Sequence, residues 1–223
     1  MTVILVLATF SIFILLDWVI NRRKVPQVAA ATANRALQSL NPSYVEGFLV
    51  PEELSYHPGH SWTMQERRNL VRIGMDDFAA ALAGHVDRIE MPKPGQWLRQ
   101  GQKAWTLVRN GETAEMVSPT EGEVMEINPD VVANPELLRT DPYGKGWLAL
   151  IHVPDEESTR RNLVPKGLVR TWMREAVGRL YSLQPQLAGC PVAADGGGPT
   201  EDVLAGLPGV NWKRVAAEFF LTV

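Results

Sequence analysis

Reactive side chains are few in this chain of 223 residues, and none is spaced for catalysis. The histidines are His57, His60, His85 and His152. The first two stand three apart, a spacing that would aim two imidazoles at one metal on a helix, but Pro58 and Gly59 lie between them and break a helix. No metal site is expected. His85 and His152 are isolated and read as structural or surface residues. The single cysteine, Cys190, closes no internal disulfide and builds no cysteine zinc site. The sequence contains no G-x-S-x-G, no H-E-x-x-H and no phosphate-cradling glycine motif. Gly196-Gly197-Gly198 follows no strand and precedes no Lys-Ser/Thr, so it reads as a linker. Asp76 and Asp77 open a short apolar run, where the helix dipole favours carboxylates. No catalytic residue is expected, and the chain is not read as an enzyme. Amines are also scarce: Lys24, Lys93, Lys103, Lys145, Lys166 and Lys213 are the only lysines.

Positioning these groups falls to one main domain with appendages, since a chain of this length buries one good core. A net charge of −3 and a pI near 5.8 leave no basic surface for phosphates, so no nucleic-acid partner is expected. Val3 to Leu16 carries no charge, and Asp17 to Ile20 extend the run to about 18 residues, just long enough to cross a hydrocarbon core. Trp18 suits interface depth. Arg22, Arg23 and Lys24 follow the run, the reverse of a cleaved signal peptide, and hold the C-terminal side in the cytoplasm. A single inner-membrane span with a cytoplasmic main domain is therefore expected.

Gln27 to Leu40 is Ala-rich and suits a short helix ended by Asn41-Pro42. Tyr44 to Leu54 suggests an extended strap on the main domain, or a loosely ordered linker. Short alternating runs then replace helical periodicity: 70–74, 86–91, 104–108, 115–118, 122–127 and 147–153. Gly- and Pro-rich turns separate them, which describes a small β-sandwich or barrel. One short helix, Asp76 to Leu82, interrupts them and stops at Gly84.

The motifs within this region resemble the H protein of the glycine-cleavage system. The resemblance spans Tyr56 to Asp155. It rests on Tyr56, His60 and Trp62 (YHPGHSW), on Ile73 to Phe78 (IGMDDF) and on Ile89 to Gly95 (IEMPKPG). It continues through Ser118 to Val124 (SPTEGEV), Ile127-Asn128, Asn134 to Leu138 (NPELL) and Asp141 to Leu148 (DPYGKGWL). This resemblance implies a mainly β, lipoyl-type barrel-sandwich hybrid, whose hairpin tip carries lipoate on a lysine. The family's pattern there is E-S-x-K-A. Counting back eight residues from Pro119 puts Gly111 at the lysine position, flanked by Asn110 and Glu112, and no lysine occurs from Ala104 to Gly144. Neither Gly111 nor Arg109 offers an amine for an amide-linked arm, so no cofactor is expected. Asn110-Gly111 is instead a favoured type I′ hairpin pair.

Two apolar stripes, Val164-Leu168-Trp172-Ala176-Leu180 and Val169-Met173-Val177-Tyr181, mark Pro165 to Gln184 as an amphipathic helix. A shorter helical piece follows with Trp212, Val215, Ala216, Phe219 and Phe220. These faces either pack on the β domain or meet a partner; in the second case Trp172, Met173, Leu180, Trp212, Phe219 and Phe220 are the partner-binding candidates. The chain thus divides into a transmembrane helix (1–21), linker and strap (22–54), H-protein-like domain (55–155), amphipathic helix (156–187), and linker with C-terminal helix (188–223). The expected function is a membrane-anchored, non-lipoylated subunit that docks or scaffolds a protein partner, with the subunits of a membrane redox complex as candidates. The alternative is a working carrier in glycine cleavage or acyl transfer, with the cofactor on an unexpected lysine.

Overall fold

Antiparallel pairing of short strands accounts for most of the architecture. The computed structural model describes residues 43–183, 202–204 and 211–222. Its strands are β1 (Tyr44–Val45), β2 (Phe48–Leu49), β3 (Ser55–His57), β4 (Ser61–Arg67), β5 (Leu70–Met75), β6 (Arg88–Glu90), β7 (Trp97–Leu98), β8 (Lys103–Arg109), β9 (Glu112–Val117), β10 (Gly122–Ile127) and β11 (Ala149–His152). One sheet runs β3-β4-β5-β11-β10-β7, a second β6-β8-β9, and β1 and β2 form a hairpin of their own. The helices are α1 (Asp77–Ala83), α2 (Pro129–Ala133), α3 (Leu137–Thr140), α4 (Glu156–Arg160), α5 (Val169–Leu183) and α6 (Trp212–Phe219). Among the described residues no helix is long and apolar enough to cross a membrane, and the expected span over 1–21 lies outside them. The Ala-rich stretch 27–40 and the glycine run 196–198 lie outside them too.

All six expected strand regions form strands, and the mainly β class holds. Strand β4 lies outside the six expected regions. Its residues Thr63 and Gln65 are polar, so simple apolar alternation does not announce which face meets the core. Trp62, fully buried, settles its placement: the ring lies on Gly74 of the paired strand, and its Nε1 donates to Met75 O at 2.9 Å and Pro142 O at 3.2 Å. A Cβ on Gly74 would come within 2.5 Å of that ring, so only glycine leaves room for it.

The expected strap packs as part of the domain. Phe48 is fully buried, its ring meeting Phe78 edge-on at 5.1 Å, while Leu49 N donates to Asp77 Oδ2 and Leu49 O accepts from Tyr143 Oη. The expected helix over 165–184 begins as a 3₁₀ turn at Lys166–Leu168 and becomes α-helical at Val169. Of its two apolar stripes, Val169, Met173, Ala176, Val177 and Leu180 are buried, Trp172 is half-buried and Leu168 faces solvent.

Candidate functional site

Strands β8 and β9 form the hairpin on which the sequence places the altered tip. Their register closes with Arg109 opposite Glu112, leaving Asn110 and Gly111 as a two-residue loop. Both have positive φ, +50° and +80°, as a type I′ turn requires. The tip is exposed, and nothing lies within 4 Å of where a Gly111 Cβ would be. Asn110 N donates to Asp87 Oδ2 at 2.6 Å, which ties the loop to the segment entering β6. The hairpin thus closes in an exposed turn whose two residues carry no amine side chain. Lys103 stands at the far end of β8, about 20 Å along the strand from the tip at ~3.3 Å per residue, and its Nζ pairs with Glu115.

The C-terminal segment packs beside this hairpin. Arg109 Nη2 pairs with Asp202 at 2.5 Å, Arg109 Nη1 donates to Ala83 O at 3.0 Å, and its Cζ lies 5.7 Å from the Trp212 ring centroid. Trp212 Nε1 donates to Leu82 O at 3.0 Å, and Asn211 caps α6 by accepting from Arg214 N. Phe219 meets Phe78 at 5.2 Å, and Phe220 is fully buried. Met173, Leu180, Trp212, Phe219 and Phe220 are therefore core residues, and Trp172, half-buried, stacks on His60 at 4.6 Å. Of the six partner-binding candidates, five are thus buried within this chain and Trp172 alone is partly exposed. Their apolar area is already removed from water by the chain's own β domain, so little of it is left to drive association. The Arg109–Asp202 pair joins residues 93 apart and carried no signal in the sequence.

Around the start of α1 lies a buried polar cluster. Asp76 is the N-cap, accepting from Ala79 N through Oδ1 at 2.8 Å, while its Oδ2 lies 2.9 Å from His60 Nδ1. The cap hydrogen bond supplements the dipole effect expected for it. His57 Nδ1 accepts from Gly59 N at 3.1 Å, so the two histidines face different partners rather than one metal. Among the described residues no three His, Cys, Asp or Glu side chains gather to hold a metal ion.

Burial pushes the Asp77 carboxyl up to about 6 from an ordinary 3.8, against the lowering effect of the Leu49 N–H. Burial also pushes His57 down to about 4 from 6.5, with His60 adding to the fall. These shifts act oppositely on stability. A carboxyl raised in the fold binds its proton more tightly there, so its contribution grows as pH falls from about 6 to 3.8. An imidazole depressed in the fold loses stability as pH falls from 6.5 to about 4. Asp77→Asn is expected to lose stability relative to the wild type as pH drops from 6 to 4, by up to about 1.4 kcal/mol per pH unit, and His57→Gln to gain it. Denaturant midpoints collected across that window read both signs; parallel curves for all three proteins would refute the assignment.

Comparisons with known proteins agree on the central region. The family model described as Glycine cleavage H-protein matches residues 54–176, reaching past Asp155 into α5. The glycine cleavage system H protein of Mycobacterium leprae is 33% identical over 106 residues, covering 48% of this chain and 80% of that protein. The probable glycine cleavage system H protein 2 of Sulfurisphaera tokodaii is 32% identical over 115 residues, covering 50% of this chain and 78% of that protein. A crystal structure of a glycine cleavage system H protein from Mycobacterium marinum aligns with a TM-score of 0.44 and 24% identity, over 47% of this chain and 87% of that one.

Proposed function

The chain belongs to the glycine cleavage H-protein family, and from that premise we propose that it serves as a non-lipoylated subunit, held at the inner membrane, that docks a protein partner. The observation that carries this reading is the β8–β9 tip. It keeps an exposed type I′ turn at the position where the family's pattern has its lysine, yet Gly111 and its neighbours Asn110 and Glu112 supply no amine. A lipoyl arm joins a protein through an amide to Nζ, so this tip accepts none. The role is non-catalytic. Membrane attachment is inferred from the uncharged Val3–Leu16 run and the Arg22-Arg23-Lys24 cluster that follows it, which also favour a cytoplasmic domain. Subunits of a membrane redox complex are the partners proposed.

Intact-mass measurement of the full chain, extracted from its native membrane in mild detergent, tests the central point. The unmodified polypeptide mass is expected. A lipoyl-sized adduct on any of the six lysines would overturn the reading and establish a working carrier in its place. Mass spectrometry of co-purifying proteins tests the docking role, and recovery of the chain alone as a monomer counts against it. Release of the chain from membranes by an alkaline wash would refute the span.

A further inference from the structure

A second site lies away from the hairpin. A groove of about 530 Å³ opens between the face of β4 and β5 that carries Thr63, Gln65 and Val71 and the segment that runs from Thr159 to Lys166. Its floor is apolar, formed by Val71 and Val153 of the sheet region with Leu163 and Val164 of the crossing segment. Three cations, Arg160, Arg161 and Lys166, line it against a single carboxylate, Glu53. All three cations are exposed; Arg161 lies 3.6 Å from Glu157, and at 73% side-chain exposure its charge stays open to solvent. Hydroxyls reach in where a core would have methyl groups. Thr63 sits opposite Ile73 in the β4–β5 register, and Thr120 and Thr159 are both buried, their Oγ1 atoms 3.4 Å apart.

The crossing wall is built rather than draped. Gln100 Nε2 donates to Thr159 O at 2.8 Å and to Pro119 O at 2.9 Å, and Asn162 Nδ2 donates to Gln100 Oε1 at 2.7 Å. Val164 N donates to Tyr56 O at 2.8 Å. The wall is thus fixed at both ends before any ligand arrives, and the volume falls in the range of pre-formed small-molecule sites. We propose that this groove binds a small organic anion, its apolar stem on Val71, Val153 and Leu163 and its carboxylate toward Arg161 and Lys166. This site is independent of the docking role and of membrane attachment.

Hexanoate and hexanol, which share a stem and differ in charge, test the assignment on the full chain in nanodiscs of zwitterionic lipid, with empty nanodiscs as the blank. Methyl resonances of Val71, Val153 and Leu163 are expected to shift saturably with hexanoate, at an affinity roughly tenfold above that for hexanol, the gain expected of a charge-assisted contact. Arg161→Glu with Lys166→Glu, both solvent-facing and so tolerated by the fold, is expected to remove that advantage and leave hexanol unchanged. Equal binding of the two probes, no saturable shift with hexanoate, or an undiminished response in the double variant would each overturn the proposal.

Discussion

Replacing Glu66 with leucine is expected to cost about 3–5 kcal/mol of folding stability, whereas Glu66→Leu combined with Arg72→Met is expected to recover most of that loss or exceed it. Arg72 lies in β5, inside the six-stranded sheet, paired with Met64 on one side and Leu150 on the other. Its side chain is 0% exposed and that of Glu66 3%. The guanidinium pairs with Glu66, and the Trp147 ring covers it at 4.8 Å from Cζ. Its terminal nitrogens have no hydrogen-bond partner among the described residues. Desolvation dominates both groups, pushing the Glu66 carboxyl up and the Arg72 guanidinium down, with each partner opposing the other's shift. Removing only the carboxylate leaves a buried cation uncompensated. Removing both charges eliminates two desolvation costs and leaves apolar volume in their place. Guanidinium unfolding of the full chain in detergent reads the effect as a change in midpoint at constant slope. A single-variant loss below about 1 kcal/mol would show the pair to be hydrated, as surface pairs are.

Phe78→Ala carries the second large effect, about 3–5 kcal/mol, because it empties a fully buried aromatic site in α1. The consequence reaches further than one helix. Phe78 meets Phe48 of the β1–β2 hairpin at 5.1 Å, Phe219 of α6 at 5.2 Å and His60 at 4.4 Å. Both appendages therefore rest on the same ring. Amide exchange is expected to rise in residues 48–50 and 212–220 ahead of the central sheet, and Val132→Ala, at a 47% exposed site, is expected to stay within about 0.5 kcal/mol of wild type. Uniform loosening of the whole chain would instead show that Phe78 supports the sandwich rather than its two attachments.

Much of the β architecture was legible from local pattern. Alternation marked β5, β8 and β10, and the positive-φ turn at Asn110-Gly111 followed from two residues whose side chains tolerate it. Strand β4 needed its partner strands to reveal it, because Trp62 packs on Gly74 and Thr63 turns toward the groove. The short helices α2 and α3 were not expected. Each is only a turn or so long; Asn128 caps the first, but neither carries an apolar stripe long enough to show a period.

By itself, the sequence determined which residue types stand at the hairpin tip. Covalent attachment needs a lysine amine, and a reading of residue types alone establishes that none stands between Ala104 and Gly144. It also determined that the two C-terminal segments have apolar faces, since helical periodicity is a local property. Only the tertiary structure decided where those faces go. Trp212, Phe219 and Phe220 look the same in sequence whether they meet a partner or their own domain, and the choice rests on contacts such as Trp212 with Leu82 and Arg109 with Asp202. Such contacts join residues on the order of a hundred positions apart, and their energy depends on relative placement in space, which no local pattern encodes.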